Sequence, residues 1–345
     1  MLGFAFHRRE SHESVMHQDR SLLRELIDDG RPALSLTAVA LLLSGVFAIF
    51  LSFRREFLPH DVNYLGMSAD ELCRVADCRV VGFMFHDRVA FGGTLIAIAI
   101  LYFWLAAFPL RQGAAWAWWA FVVSGTLGFA SFLTYLGYGY LDMWHSTATL
   151  ALLPTFTLGL LYSRRLATAP ATPWIRTGEM KAAAWPLRLG RWGLLATGLG
   201  IGLAGLVILY LGSTEVFVVE DLGFMGVTRQ MLDDINPRLV PLIAHDRAGF
   251  GGGLATIGVL LTVCAVYSRP SRSFHEAVAI AGVAGFGCAL GTHYVEGYVN
   301  PIHLAPAFAG AVLFGVSIGC EIIGSRTRKS SGVAAAAAVE RRVVG

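Results

Sequence analysis

The octapeptide HDRVAFGG at 86–93 occurs again as HDRAGFGG at 245–252, with six of eight residues identical at a separation of 159 positions. The similarity continues outside the octapeptide in three pairs: Asp61 and Asp221, YLGM at 64–67 and FMG at 224–226, and GYLDMWH at 139–145 and GYVNPIH at 297–303. Matches in the same order at a nearly constant separation indicate an internal duplication. The chain is therefore predicted to contain two equivalent units.

The composition indicates a membrane protein. Of the 345 residues, 55% are hydrophobic and only 15% are charged, and the mean hydropathy is +0.59. A typical soluble domain has about 25% charged residues, so an ordinary cytosolic enzyme and a disordered chain are both excluded. Five cysteines are too few for a disulfide scaffold, and a net charge of +3 gives no argument for nucleic acid as a partner.

Eight apolar runs are long enough to cross about 30 Å of hydrocarbon as helices. They are 34–53, 84–108, 115–137, 143–163, 191–212, 244–267, 275–293 and 301–323. The runs are continuous rather than alternating, which does not favour a β-barrel. We therefore predict an all-α membrane protein with eight transmembrane helices.

These helices divide between the two units. The first four-helix unit covers 34–163, the second covers 191–323, and a cytoplasmic linker at 164–190 joins them. Because each unit has an even number of spans, both units have the same orientation in the membrane. The prediction is two tandem four-helix bundles related as a parallel internal repeat, which differs from the inverted repeats of many transporters.

The distribution of Lys and Arg orients the chain. With the N-terminus inside, the inner segments hold 19 Lys and Arg residues and the outer loops hold 6. Short loops rich in positive charge stay in the cytoplasm, so we predict a plasma-membrane protein with both termini cytoplasmic. The N-terminal segment 1–33 and a loose tail at 324–345 are then inside, and the long loops at 54–82 and 213–243 are outside.

Each unit carries two histidines near the outer ends of its helices. His86 and His245 lie at the predicted start of the second helix, and His145 and His303 at the start of the fourth. The second and fourth helices of a bundle can face each other across its core, which would pair His86 with His145 and His245 with His303. Two facing imidazoles can ligate a haem iron. We therefore predict bis-histidine haem sites. The alternatives for these histidines are binding of another metal, a role in proton transfer, or structural hydrogen bonding.

An arginine follows each first histidine of these pairs by two positions. In one interpretation Arg88 and Arg247 bind haem propionates at the outer surface, because a guanidinium group forms fork-like hydrogen bonds with carboxylates. In the alternative, each Asp–Arg pair caps the start of its helix, where an acidic side chain is favourable. The sequence leaves both interpretations open.

Cys73 and Cys78 both lie in the first long outer loop, and the second loop has no cysteine. The outer face of the membrane is oxidising, which favours a disulfide or redox pair there, with two free thiols as the alternative. The spacing is not a zinc signature, since no matching ligand cluster follows.

Two four-helix units, a histidine pair on the second and fourth helices of each, and a cysteine pair in the first outer loop together resemble the haem A synthase family. The resemblance covers about 34–323 of the chain. It implies that His86 and His145 receive the haem that is oxidised. It also implies that His245 and His303 ligate a resident haem b.

The motif around the first histidine departs from that family. The family has a glutamate three residues before this histidine and an arginine directly after it. Phe83 and Leu242 replace the glutamate, and Asp87 and Asp246 replace the arginine. Because that glutamate is associated with oxidation of the haem methyl group, the resemblance concerns the scaffold more than the reaction.

The combined sequence features predict a haem-binding integral membrane oxidoreductase with haem b as cofactor. It would oxidise, or pass electrons to, a haem or another lipophilic substrate. Expected partners are membrane lipids, haem and a quinol or other membrane redox partner, with a homo-oligomer left open. The alternatives are a proton- or metal-coupled transporter and a non-enzymatic membrane assembly or accessory protein.

Overall fold

The computed structural model describes residues 28–138, 140 and 143–344, with side chains throughout except at 135, 136, 138, 144, 145 and 328–344. Within these residues the secondary structure is helical. The α-helices are α1 (Arg31–Phe53), α2 (Pro59–Leu65), α3 (Ala69–Ala76), α4 (Cys78–Ala107), α5 (Ala115–Ser131), α6 (Met143–Ser163), α7 (Gly178–Lys181), α8 (Trp185–Gly212), α9 (Val219–Met225), α10 (Arg229–Ile235), α11 (Leu239–Tyr267), α12 (Arg272–Glu296) and α13 (Pro301–Val344). Short 3₁₀-helices cover Phe132–Tyr138, Arg164–Leu166 and Trp174–Arg176.

Seven of the described helices are long and apolar enough to cross a membrane, namely α1, α4, α5, α8, α11, α12 and α13. The prediction of an all-helical, multi-pass membrane protein is confirmed at this level. The span predicted at 143–163 forms α6, which has Pro154 in its interior and is not one of the seven. The last helix continues to Val344, so the backbone of the tail at 324–344 is helical rather than loose.

The two helices that carry the octapeptides begin earlier than predicted. The helix α4 starts at Cys78 rather than near 84, and α11 starts at Leu239 rather than near 244. His86 and His245 therefore lie well inside their helices. Because the aspartates that follow them are also outside the first turn, the alternative in which Asp–Arg pairs cap the helix starts is wrong.

The centre of the protein is formed by α4 and α11. About 67% and 61% of their apolar segments are buried, against 22–33% in the other five candidate spans. Both α1 and α12 pack against α4, both α8 and α5 pack against α11, and α4 contacts α11 directly. The third helix of each sequence unit thus packs on the second helix of the other unit. The units interleave, which differs from the predicted pair of separate bundles.

Glycine allows the close crossing of α1 and α4. A Cβ atom on Gly45 would lie 2.5 Å from the carbonyl oxygen of Gly92, and one on Gly92 would lie 2.8 Å from the carbonyl oxygen of Gly45. Small residues at such crossings let helix backbones approach in lipid, where apolar packing supplies much of the stabilisation.

The two long loops fold into helical caps that pack together. The first contains α2 and α3, the second contains α9 and α10, and α2 and α9 both end on a left-handed glycine, Gly66 and Gly226. Asn236 donates a hydrogen bond to the carbonyl of Leu65 at 2.8 Å, and Arg238 donates to the carbonyl of Tyr64 at 2.7 Å. These bonds hold the caps side by side over the ends of α4 and α11.

A fully buried ion pair joins the first part of α8 to the middle of α13. Arg191 pairs with Glu321, and both side chains have no exposed surface. Arg191 also donates to the carbonyl oxygens of Cys264 and Ala265 at 3.2 Å and to the hydroxyl of Ser268 at 3.1 Å. The pair therefore ties α8 and α13 to the end of α11.

Candidate functional site

Arg88 on α4 is held by two carboxylates from different parts of the chain. Its Nη2 lies 2.9 Å from Oδ2 of Asp61 in α2, and its Nε lies 2.8 Å from Oδ2 of Asp246 in α11. Asp61 also accepts a hydrogen bond from the hydroxyl of Tyr140 at 2.5 Å. This cluster joins the first cap to both central helices.

Arg247 on α11 has the equivalent partners in the other half of the chain. It pairs with Asp221 in α9, and its Nε lies 3.6 Å from Oδ2 of Asp87 in α4. Asp221 accepts a hydrogen bond from the hydroxyl of Tyr298 at 2.9 Å. Burial and the neighbouring Asp221 carboxylate raise the pKa of Tyr298 above its ordinary value, so the phenol stays protonated and keeps donating.

The two arginine clusters are therefore reciprocal. The arginine of each HDR motif pairs with the aspartate of the other motif, and each also pairs with an aspartate of the cap in its own unit. The ion pairs connect α4 with α11 rather than lying within one helix. Both guanidinium groups are occupied by carboxylates of the chain itself, so the propionate role predicted for Arg88 and Arg247 would require these pairs to open.

Three histidines meet beside the second cluster. His86 of α4, His293 of α12 and His303 of α13 offer ring nitrogens that all lie within 4.8 Å of one another. Nε2 of His86 is 3.0 Å from Nε2 of His293, and the His86 and His303 ring centroids are 6.3 Å apart. His86 and His293 are buried, and His303 is half-buried.

Each imidazole of this group has a partner for its other ring nitrogen. Nδ1 of His86 is 3.1 Å from a carboxylate oxygen of Asp87, and Nδ1 of His293 is 2.5 Å from the carbonyl oxygen of Ala289. Nδ1 of His303 is 3.2 Å from the hydroxyl of Tyr298, whose proton goes to Asp221. These contacts fix the ring orientations, and they resemble the outer hydrogen bonds of metal-binding histidines.

A separate cavity of about 750 Å³ lies between α1, α4, α5, α6 and α11. Its walls are mainly apolar with scattered hydroxyl groups, and its charged or imidazole side chains are Glu56, His60, Asp61, Arg88, His245 and Asp246. Asp61, Arg88 and Asp246 belong to the first arginine cluster. The cavity therefore has an apolar body and a charged, hydrogen-bonding end.

The walls of the cavity contain small residues next to His245. Gly249 and Gly253 lie one and two turns further along α11 and line the cavity. Ala148 and Thr149 of α6 line it as well. Three of the residues on α1, Leu43, Phe47 and Phe50, line the cavity and are also 45–63% exposed on the outer surface of that helix. The cavity thus opens towards the side of α1 that would face lipid.

The histidines group differently from the pairing expected within each unit. His86 lies with His303 of the other unit, while His245 lines the cavity and contacts Tyr140, with ring centroids 4.9 Å apart. The side chain of His145 is outside the described residues, so its predicted pairing stays a prediction. The predicted disulfide is confirmed, because Cys73 and Cys78 are bonded to each other.

The sequence pattern did not identify His293 as the third histidine of the group. It also did not assign roles to Asp61, Asp221, Tyr140 and Tyr298. His293 has no histidine counterpart in the first unit, since Tyr135 occupies the matching position, so the repeat gave no signal for it. Asp61 and Asp221 were visible as a repeated pair, and Tyr140 and Tyr298 also match. Their repetition next to the HDR motifs was the signal that could have identified them as partners of the arginines.

The comparisons with known proteins give no match. No protein-family model, no curated protein and no solved structure matches this chain.

Proposed function

We propose that the protein is a haem-binding integral membrane oxidoreductase that holds haem b in the cavity between α1, α4, α5, α6 and α11. The observation that carries this proposal is an apolar cavity of about 750 Å³ with a buried histidine, His245, at its polar end. Pockets of this size commonly bury most of a cofactor-sized molecule. The apolar body of the cavity could bury the apolar ring of a haem, and the two haem carboxylates would lie at the polar end, where Arg88 would have to leave Asp61 or Asp246 to bind them.

We propose that His245 and His145, which belong to different units, would hold the haem iron. Two observations support this crossed pair. His86 and His303 occupy the equivalent sequence positions and lie near each other across the units, with ring centroids 6.3 Å apart. In addition, Ala148 and Thr149, three and four residues after His145, line the same cavity as His245. Residues at these spacings share one face of a helix.

The residues around His245 suit the role of an axial ligand. Nδ1 of His245 is 3.1 Å from Oδ1 of Asp246, a contact that would orient the ring and leave Nε2 as the metal-binding nitrogen. Arg88 holds Asp246 in place. The glycines at 249 and 253 leave the helix face flat. A haem bound there would supply one-electron transfer, and the opening beside α1 would admit a quinol or another lipophilic redox partner from the bilayer.

The three-histidine group does not fit a second haem. Nε2 of His86 and Nε2 of His293 are in direct contact at 3.0 Å, and Tyr298 stacks on His303 with ring centroids 4.4 Å apart. A flat macrocycle needs an open gap between two facing imidazoles, and these rings fill it. The haem-binding role predicted for His86 and His303 is therefore not part of this proposal.

We further propose that the chain is a duplicated eight-span protein with both termini in the cytoplasm, related in architecture to the haem A synthase family. The reciprocal arginine clusters and the matching caps at α2–α3 and α9–α10 support the duplication. The excess of Lys and Arg on one side of the predicted spans supports the orientation.

A proton- or metal-coupled transporter is the second candidate. The observation that favours it is the set of buried ion pairs, because charged groups within membrane helices are costly and are commonly retained for function. Arg88 with Asp246 and Arg191 with Glu321 both join helices whose relative movement could alternate access. A colourless preparation that takes up a solute into vesicles in a pH-dependent way would favour this candidate.

The test of the haem proposal is the absorption spectrum of the full-length protein purified in detergent, oxidised and dithionite-reduced, with a pyridine haemochrome assay. We expect one haem b per chain with a low-spin spectrum. The variant His245→Ala should lose that spectrum. The variant Leu95→Trp should also lose haem, because Leu95 lines the cavity and the larger ring would fill it.

Leu199→Trp is the matched control for this substitution. Leu199 lies on α8 and is 57% exposed, so the same added ring meets no packed neighbour there. The haem content of Leu199→Trp should equal that of the protein without substitutions. A wild-type protein that stays colourless after expression with added haem would refute the proposal, and so would a Leu95→Trp variant that folds and retains its haem.

A further inference from the structure

We propose that His86, His293 and His303 form a mononuclear binding site for a divalent transition-metal ion, separate from the cavity proposed for haem. The three side chains come from α4, α12 and α13, which converge at the end of the bundle covered by the outer caps. Imidazole nitrogen is a ligand that zinc, copper, iron and nickel accept in proteins. The site is assigned from this geometry and does not depend on whether the cavity binds haem.

The distances suit a single ion. In a tetrahedral site with metal–nitrogen bonds of 2.0–2.1 Å, two imidazole nitrogens lie about 3.3 Å apart. The Nε2 atoms of His86 and His293 are 3.0 Å apart, and the nitrogens of all three rings lie within 4.8 Å of one another. Small rotations of the His303 ring would complete the set. Three protein ligands leave a fourth position for water or a substrate, as in catalytic zinc sites.

The tautomers of His86 and His293 favour a cation between their two Nε2 atoms. Nδ1 of each ring faces only an oxygen acceptor, the Asp87 carboxylate and the Ala289 carbonyl, so each Nδ1 carries its proton. In the neutral rings the two Nε2 lone pairs would then face each other at 3.0 Å, which is repulsive. A cation between them removes this repulsion, and a third converging histidine favours a metal ion over a shared proton.

The charges around the three rings also favour a cation. Asp87 and Asp221 lie on one side with Arg247 between them, which leaves one net negative charge beside the site. Glu296 on α12 is paired with Arg55 and adds no net charge. Partial neutralisation of a divalent ion by nearby carboxylates lowers the cost of burying it.

Metal content and binding test the proposal directly. The full-length protein in detergent is stripped with a chelator and titrated with Cu²⁺, and the copper is measured by mass spectrometry and by electron paramagnetic resonance. We expect one tightly bound Cu²⁺ per chain with hyperfine splitting from three nitrogens. Replacing a hydrogen-bond partner of a ligand lowers affinity about 10–100-fold, so Tyr298→Phe should weaken binding to that extent and His293→Ala by at least about 100-fold.

Two variants serve as matched controls. His275→Ala lies near the other end of α12, beside Glu321, and should leave the copper affinity unchanged. Tyr140→Phe, at the position equivalent to Tyr298 in the first unit, should also leave it unchanged. The nitrogen hyperfine pattern of the unaltered protein tests the site even if a histidine variant does not fold.

Three results would overturn the metal site. The first is a stripped protein that binds no stoichiometric Cu²⁺ or Zn²⁺, which would assign the His86–His293 contact to a shared proton. The second is a folded His293→Ala variant that keeps the copper. The third is loss of haem together with copper in that variant, which would mean that both signals come from one haem site. Loss of copper with haem unchanged is the expected result.

Discussion

The reciprocal arginine clusters predict a large loss of stability when one arginine is removed. Arg88 compensates two carboxylates, Asp61 and Asp246, whose side chains are only 3% and 12% exposed. In Arg88→Leu, Asp61 would keep the hydroxyl of Tyr140 and the backbone N–H of Leu58, and Asp246 would keep His245, but neither carboxylate would keep a guanidinium partner. Removing one partner of a buried ion pair costs about 3–5 kcal/mol, because the remaining charge stays buried without compensation.

The assay is denaturant unfolding of the full-length protein in detergent micelles, followed by tryptophan fluorescence. Arg88→Leu should lower the free energy of unfolding by about 3–5 kcal/mol. The double variant Arg88→Leu/Asp246→Leu should lose less free energy of unfolding than the two single variants lose together, because it leaves no unpaired Asp246. The difference should be about 0.5–3 kcal/mol, the usual coupling energy between residues in contact.

The control removes an ion pair of similar length at the surface. Arg272 and Glu276 are 2.7 Å apart, but their side chains are 89% and 55% exposed. Water and salt screen such a pair, so Arg272→Leu should leave unfolding unchanged within error. If Arg88→Leu and Arg272→Leu have the same free energy of unfolding, the clusters do not hold α4 to α11. Burial would then not strengthen the ion pairs of Arg88.

Three further predictions concern other parts of the fold. Gly92→Val should block the close α1–α4 crossing and reduce the yield of folded, monodisperse protein in size-exclusion chromatography; normal yield and profile would contradict the crossing. Arg191→Met should destabilise the protein by about 3–5 kcal/mol in the same unfolding assay, and Arg191→Met/Glu321→Met should restore much of that loss. Cys73 and Cys78 should resist alkylation until a reductant is added, as mass spectrometry would report; labelling without reduction would contradict the disulfide.

The sequence predicted those features that depend on local pattern. Apolar runs predicted the seven helices that are long and apolar enough to cross a membrane, and the loop cysteines predicted the disulfide, because length, hydropathy and compartment are enough for both. The eighth run, 143–163, is not among the seven. The paired HDR motifs predicted that His86 and His245 take equivalent positions on the second helix of each unit, and both lie on the long central helices α4 and α11. Helix starts were less accurate: the stretch from Cys78 to Met84 is helical although the hydropathy run was placed later.

The sequence could not predict which helices would meet. Hydropathy shows that a helix is buried, but it does not specify the neighbour, so α12 on α4 and α5 on α11 were not expected. The same limit applies to the site. His293 joins His86 only because α12 packs on α4, and the two arginines exchange partners only because α4 contacts α11. These contacts depend on tertiary packing rather than on spacing along the chain.

Low-temperature electron paramagnetic resonance of the ferric protein distinguishes the crossed pair His145 and His245 from a pair within one unit. The spectrum of the unaltered protein should be that of a low-spin haem with two histidine ligands. His145→Ala and His245→Ala should each abolish that signal, while His303→Ala should retain it. If His303→Ala abolishes the low-spin signal and His145→Ala retains it, His245 is paired with His303 of its own unit. The proposed crossed pair of His145 and His245 would then be wrong.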